Sequence, residues 1–269
     1  MTAGAFDAAI ALEQQEDGGW LGHTSAAYAN MVGPFGGVTA AQMLNAVLQH
    51  PERLGDPVAL TINYAAALAG GPFTVQARAA RTNRSTQHWV LEIQQQGQAV
   101  ATGTAFTAAR RETWSTGEHA MPQVPPPQDA ARQVAHGRVE WINRYEMRFL
   151  EGGFPATWDG QDHGISRTRL WVRDDPPRPL DFASLAALSD VFFPRIWRRR
   201  STLVPVGTVT MTVYFHAGPA QLAAAGTGYL LGQAQAQAFR NGYFDQTAQL
   251  WTEAGDLLAT THQVVYYKE

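Results

Sequence analysis

The strongest constraint on this chain is that its second half repeats the order of its first. A shift of 158 positions superposes Asn83 on Asn241, Gly97 on Gly255, Ala101 on Ala259 and Thr102 on Thr260, laying GQAVATGTA over GDLLATTHQ without a gap. Each half opens with a helical pattern. In the first, Gly36 and Gly37 begin GGVTAAQMLNAVL, whose Val38, Ala41, Met43, Leu44, Val47 and Leu48 form a broad apolar side before Pro51 stops it. The segments VALTINYAAAL, PFTVQARAART, TQHWVLEIQQQ and QAVATGTAFTAAR then alternate or cluster apolar residues between Gly, Pro and Asn, as an antiparallel sheet requires. In the second half DFASLAALSDVF precedes GTVTMTVYFHA, TGYLLGQAQAQAF, FDQTAQLWTEA and DLLATTHQVVYYK. Between the halves, PQVPPP at 122–127 favours extended polyproline geometry and forbids continued sheet pairing.

The expected fold class is therefore α+β: two units, each a long helix wrapped by a curved antiparallel sheet, with the sheets edge to edge. The expected boundaries are 1–111 for the first repeat, 112–135 for the Pro-rich linker and 136–269 for the second repeat. VEWINRYEMRFL and SRTRLWVR read as further strands that extend the second sheet or lie across it.

Composition narrows the function. Twenty Lys and Arg against 23 Asp and Glu give a net charge of -3, so there is no basic field to hold nucleic acid or an anionic membrane surface. Without cysteine, thiolate nucleophiles, disulfides and iron–sulfur clusters are excluded. His23, His88 and His163 stand alone, without metal-ligand spacing, and no Gly-x-Ser-x-Gly elbow occurs, so neither a metal site nor a serine hydrolase is expected, and no cofactor is implied. Residues 201–239 carry no charged side chain, yet Pro205, His216, Gly218 and Pro219 interrupt them, so no membrane span is expected. Charged residues are 16% of the chain, which points to wide buried interfaces and a homodimer or homotetramer. An N-terminus without a basic start or an unbroken apolar stretch predicts a cytoplasmic location.

With these segments in place, the chain resembles the TesB-like acyl-CoA thioesterases of double hotdog fold. The resemblance rests on GPFGGVTAAQML at 33–44 and TNRSTQHWVLEIQQQGQAVATGTAFTA at 82–108 in the first half, and on PLDFASLAALSD at 179–190, PVGTVTMTVYFH at 205–216 and LWTEAGDLLATTHQ at 250–263 in the second. It implies hydrolysis of an acyl-CoA thioester to a carboxylic acid and coenzyme A. It also implies that Asp190, Thr208 and Gln263 hold the attacking water, with one site per chain, because Ala105 stands in the first repeat where Gln263 stands in the second. The connection from Asp190 to Thr208 departs from better-known bacterial members in being short and basic, with Arg195, Arg198, Arg199 and Arg200.

Those residue types suit the chemistry. A thiol of pKa near 8.5 leaves readily, so the reaction needs an oriented water and a polarised carbonyl more than a strong acid. Asp190 stands among Leu185, Ala187, Leu188, Val191 and Phe192, where burial raises a carboxyl pKa; it could equally cap the helix. Alternation places Gln263 with Leu257, Ala259, Thr261 and Val265 on one strand face, a position that also suits a structural amide. Thr208 shares parity with Thr210, Thr212 and Tyr214 rather than with the core-facing Val209 and Met211, and Thr210 is its alternative. Backbone amides at Gly36 and Gly37 could polarise the carbonyl, or these glycines could only permit close packing. For the coenzyme phosphates, Arg78, Arg81 and Arg84, or the arginines of 195–200, are candidates, with Arg84 preferred. The competing readings are a noncatalytic acyl-thioester or fatty-acid binding protein, and a hotdog dehydratase using a histidine such as His216 or His262.

Overall fold

The two halves meet at a pair of strands rich in small, uncharged side chains. β3 (Asp56–Tyr64) and β9 (Val206–Phe215) pair antiparallel, with Leu60 opposite Val213, Thr61 opposite Thr212 and Ile62 opposite Met211. In its own repeat Tyr64 pairs with Ala101, as Phe215 pairs with Ala259, so Thr61 and Thr212 hold equivalent places in the two copies. Their hydroxyls meet at 3.0 Å, which marks a local twofold axis through the junction.

The computed structural model describes residues 4–133 and 139–269. Before β3 come α1 (Ala5–Ala9), β1 (Leu12–Gln14), β2 (Trp20–His23) and α2 (Gly36–Leu48); after it come β4 (Pro72–Thr82), β5 (Thr86–Gln95) and β6 (Gln98–Ala108). The second half begins with β7 (Tyr145–Glu151), β8 (Thr168–Asp174), α3 (Phe182–Leu188) and α4 (Arg195–Arg200). Beyond β9 it continues with α5 (Pro219–Ala225), β10 (Leu230–Gln235), β11 (Phe239–Arg240), β12 (Tyr243–Thr252) and β13 (Leu257–Tyr267). Among the described residues the strands form one antiparallel sheet in the order β1-β2-β4-β5-β6-β3-β9-β13-β12-β10-β8-β7, with β11 hanging on β12. The edge-to-edge arrangement expected from the repeat is present, and the fold is a double hotdog.

The sheet curves around α2, whose Val38, Ala40, Ala41, Met43, Leu44, Ala46 and Val47 are wholly buried. A helix apolar on every side belongs inside a fold. Its polar residues are used inward as well: Gln42 and Asn45 donate amide hydrogen bonds of 2.8 and 2.7 Å to the carbonyls of Ala9 and Ile10, fixing the N-terminal segment across it. α2 also packs on α3 so closely that a Cβ on Gly37 would stand 2.5 Å from the Ala187 carbonyl oxygen.

Two expectations need correction. The second-half helix ends at Leu188 rather than 192: Asp181 caps its start by accepting from the Ser184 amide at 2.8 Å, and Pro194 disfavours helical backbone in the residue before it. Only the C-terminal part of VEWINRYEMRFL is a strand. Glu140–Arg144 forms a 3-10 turn because its Trp141 ring stacks on Phe35, with centroids 4.2 Å apart. The Pro-rich segment is a packed strap. Met121 and Val124 lie on Trp171, Leu231 and Trp251 on the outer face of the second sheet, and Trp171 donates to the Pro125 carbonyl at 2.8 Å. The expected boundary at residues 135 and 136 lies outside the described residues.

Candidate active site

Asp190 stands just beyond the last turn of α3, its amide bonded to the Ala187 carbonyl at 3.1 Å. Its carboxylate lies beside the start of α2 in the other repeat. Asp190 Oδ1 accepts from Gln263 Nε2 at 2.8 Å, and the backbone N–H of Gly37 also favours the charged form of the carboxylate. Gln263 is 3% exposed on β13 opposite Met211, whose sulfur lies 3.4 Å from the same amide nitrogen. Because a carboxylate can only accept, Gln263 must present its NH₂ to it, which turns the amide carbonyl elsewhere. That oxygen has no partner among the described residues and is not sealed from solvent.

Burial pushes the Asp190 carboxyl from 3.8 up to about 7, and the hydrogen bonds from Gln263 and Gly37 offset part of the rise. The cause is visible in its neighbours. Phe35 precedes the α2 N-terminus and stacks on Trp141; Phe193 follows Asp190 by three residues and stacks between Phe149 at 5.5 Å and Phe154 at 3.9 Å. Tyr64 closes another side. Its hydroxyl donates to the Gly36 carbonyl at 3.0 Å, and burial together with the Asp190 charge drives its pKa well above 10.

The glycine pair has both of the properties considered for it. A Cβ on Gly36 would lie 2.7 Å from Asp190 Oδ2, and one on Gly37 would strike the Ala187 backbone, so close approach requires both glycines. The Gly37 amide is engaged by Asp190 rather than open to a substrate oxygen. The Gly36 amide is left without an acceptor among the described residues.

Thr208 reaches the inner face through an irregularity that simple alternation misses. Gln263 pairs with Met211 and Val264 with Thr210, but Val265 pairs with Thr208, so Val209 is a bulge that reverses parity. Thr208 thus faces inward beside buried Val265, while Thr210, opposite exposed Val264, faces outward. Thr208 lies about 7 Å along the strands from the Gln263 pair and makes no hydrogen bond to Asp190 among the described residues.

Arg84 is not brought to this site within the chain. It lies exposed in the β4–β5 turn, and neighbouring Gln87 ties that turn to Glu52 and Leu54, beyond the C-terminus of α2. The carboxylate is at the other end of that helix, about 20 Å away for 13 residues. Arg78 and Arg81 are exposed on β4. The basic run fares no better: buried Arg195 donates to the Ser166 carbonyl and Thr168 hydroxyl at 2.8 and 2.7 Å, Arg199 pairs with Asp162 and Arg200 with Glu269.

Sequence reasoning missed Tyr64. Alternation does set it with Leu60 and Ile62 on the inner face, but its bond to Gly36 depends on how α2 seats against β3.

Two helix-and-sheet units joined through β3 and β9, with the Asp190 carboxylate at the start of the central helix, define a hotdog-fold protein. The family model for the acyl-CoA thioesterase N-terminal domain matches residues 25–108, and that for the acyl-CoA thioesterase C-terminal domain matches residues 118–267. The chain belongs to the acyl-CoA thioesterase family and is a thioester hydrolase. Among solved structures it is 50% identical to a conserved hotdog-fold protein of unknown function from Alicyclobacillus acidocaldarius, covering 100% of this chain and 99% of that one with a TM-score of 0.94. A putative thioesterase II from Thermobifida fusca shares the fold at 18% identity, with coverage of 98% and 97% and a TM-score of 0.83. An acyl-CoA thioesterase II from Mycobacterium marinum does so at 19% identity, with coverage of 98% of each chain and a TM-score of 0.75. A search of curated proteins finds no match. No helix among the described residues is long and apolar enough to cross a membrane.

Proposed function

We propose that this chain hydrolyses an acyl-CoA thioester to the free carboxylic acid and coenzyme A, with Asp190 as the general base. The observation that carries the reading is a carboxylate raised to about 7 by burial and held by Gln263 and the Gly37 amide. A base of that strength is half ionised near neutral pH, where general-base catalysis is most effective. A water placed between Asp190 and the open Gln263 carbonyl gives one proton to each as hydrogen bonds, which aims its lone pair outward. As its oxygen bonds to the thioester carbon, Asp190 takes one proton. The Gly36 amide, at the positive end of the α2 dipole, stabilises the oxyanion. The C–S bond then breaks and the departing thiolate takes the proton from Asp190. Thr208 contributes a hydroxyl on the same face. The first repeat, 1–111, supplies the helix N-terminus, and the second, 136–269, supplies base and amide, with 112–135 as connector.

Thiol release from a panel of acyl-CoAs, read with a thiol-reactive dye, tests this. The chain has no cysteine of its own to react. Release by the wild type, abolished in Asp190→Asn with binding retained, is expected. A wild type that binds acyl-CoA and never releases thiol refutes it in favour of a noncatalytic carrier. The charge-poor composition supports a homodimer or homotetramer, and light scattering that finds only the single-chain mass at micromolar concentration refutes that part.

A further inference from the structure

The peptide unit between Gly36 and Gly37 is gripped at both ends. Its carbonyl accepts from the Tyr64 hydroxyl at 3.0 Å, and its N–H, on the side of the Asp190 carboxylate, favours the charged form of that group. We infer that Tyr64 is a positioning residue for hydrolysis, holding this peptide so that its N–H stays on the Asp190 carboxylate; the inference rests on the thioesterase reading above. Tyr64 does not need to touch the substrate. Its effect passes through one rigid amide plane, and polarising the carbonyl strengthens the N–H donor on the opposite side.

A purely structural account explains less. A carbonyl oxygen in the first turn of a helix has two lone pairs, and the helix itself satisfies one of them, so Gly36 does not require the phenol for its own hydrogen bonding. Phenylalanine would fill the same space. Among the described residues the hydroxyl has no other partner, and a Cβ on Gly36 would stand 3.6 Å from it and 2.7 Å from Asp190 Oδ2, so phenol, peptide and carboxylate form one cluster. Besides Gln263 from β13 and the Gly37 amide from α2, the groups that feel the Asp190 charge are Tyr64 from β3 and, more weakly, Tyr145 from β7. Of these the two tyrosines are titratable, and burial drives both well above their usual range, so Tyr64 remains a donor throughout the working pH.

The test compares the full-length wild type, Tyr64→Phe and a chain with 3-fluorotyrosine at position 64. Three readouts apply: the pH–rate profile of acyl-CoA hydrolysis, a ¹³C NMR titration of the Asp190 carboxyl, and thermal unfolding. In Tyr64→Phe the weakened amide donor favours the ionised carboxylate less. Its acid limb and the Asp190 titration are expected to move up together by about half a pH unit, with kcat down about three- to tenfold and KM within about twofold. Fluorotyrosine, a stronger donor, is expected to move both down. An unmoved limb and titration in both chains overturn the inference, and so does a loss of activity that follows the melting temperature alone. If the wild type hydrolyses no acyl-CoA, the thioesterase reading fails on its own, while the Asp190 titration still decides whether Tyr64 acts on the carboxylate.

Discussion

Asp190→Asn is expected to stabilise the protein in a pH-dependent way while removing its activity. The folded-state carboxyl is raised from 3.8 to about 7, so between those values the folded chain binds a proton that the unfolded chain has released. Stability due to this group is therefore full below about pH 4 and is lost as pH rises toward 7. At 1.36 kcal/mol per pH unit the rise corresponds to at most about 4 kcal/mol. The residue is only half-buried by its surface, which screens the carboxylate, so about 2 kcal/mol is the better figure. Asparagine also loses one good acceptor bond, to Gln263 or to the Gly37 amide, at about 1 kcal/mol regardless of pH. The variant should be slightly less stable than the wild type at pH 4 and about 1 kcal/mol more stable at pH 8. Urea unfolding followed by the fluorescence of the eight tryptophans, at fixed protein concentration, measures the difference. A difference constant to within about 0.5 kcal/mol from pH 4 to 8 would mean that the carboxyl is not raised by burial, and the general-base argument would lose its foundation.

Wild-type kcat/KM should fall on the acid side with a midpoint near pH 7, because the base must be ionised; a limb at the ordinary carboxyl value refutes Asp190 as the base. Gln263→Ala removes a donor to the carboxylate and the acceptor for the water, so kcat should drop about 10- to 100-fold and the acid limb move up, as a pH–rate profile will read. In Gly36→Ala the new Cβ, 2.7 Å from Asp190 Oδ2, pushes the carboxylate aside; steady-state kinetics should show at least about a tenfold loss in kcat, with the melting temperature little changed because alanine suits a helix. Arg84→Ala, about a helix length away, should leave KM for acyl-CoA within about twofold in a saturation assay.

The parts of this molecule legible in its sequence are those set by local periodicity and by the repeat. GGVTAAQMLNAVL is helical over its whole length, from Gly36 to Leu48, and the eight long strand patterns each contain a strand. The rest depended on packing between distant residues. Trp141 leaves its strand pattern because Phe35 offers a stacking partner about a hundred residues earlier in the chain. Thr208 reads as outward from alternation and is inward only because Val209 bulges, an irregularity that β-branched sequence on both sides conceals. Arg195, Arg199 and Arg200 looked available for phosphates, yet their partners, Ser166, Asp162 and Glu269, lie in other segments.

Duplication leaves the Asp190–Gln263 pair without a counterpart of Gln263 in the first repeat. The two copies keep the same register, so Leu60 faces Ala105 where Met211 faces Gln263. The same place in the sheet carries a methyl group in one half and an amide in the other. A twofold arrangement brings each half's helix against the other's, and among the described residues the environment beside the α2 N-terminus holds an acid and an amide together. The α2 N-terminus belongs to the first repeat and the carboxylate to the second, so neither half contains the centre by itself. The first repeat has no counterpart of Gln263, yet its Gly37 amide favours the charged form of Asp190. Ala105 fills the corresponding place in the core of the first repeat at 5% exposure.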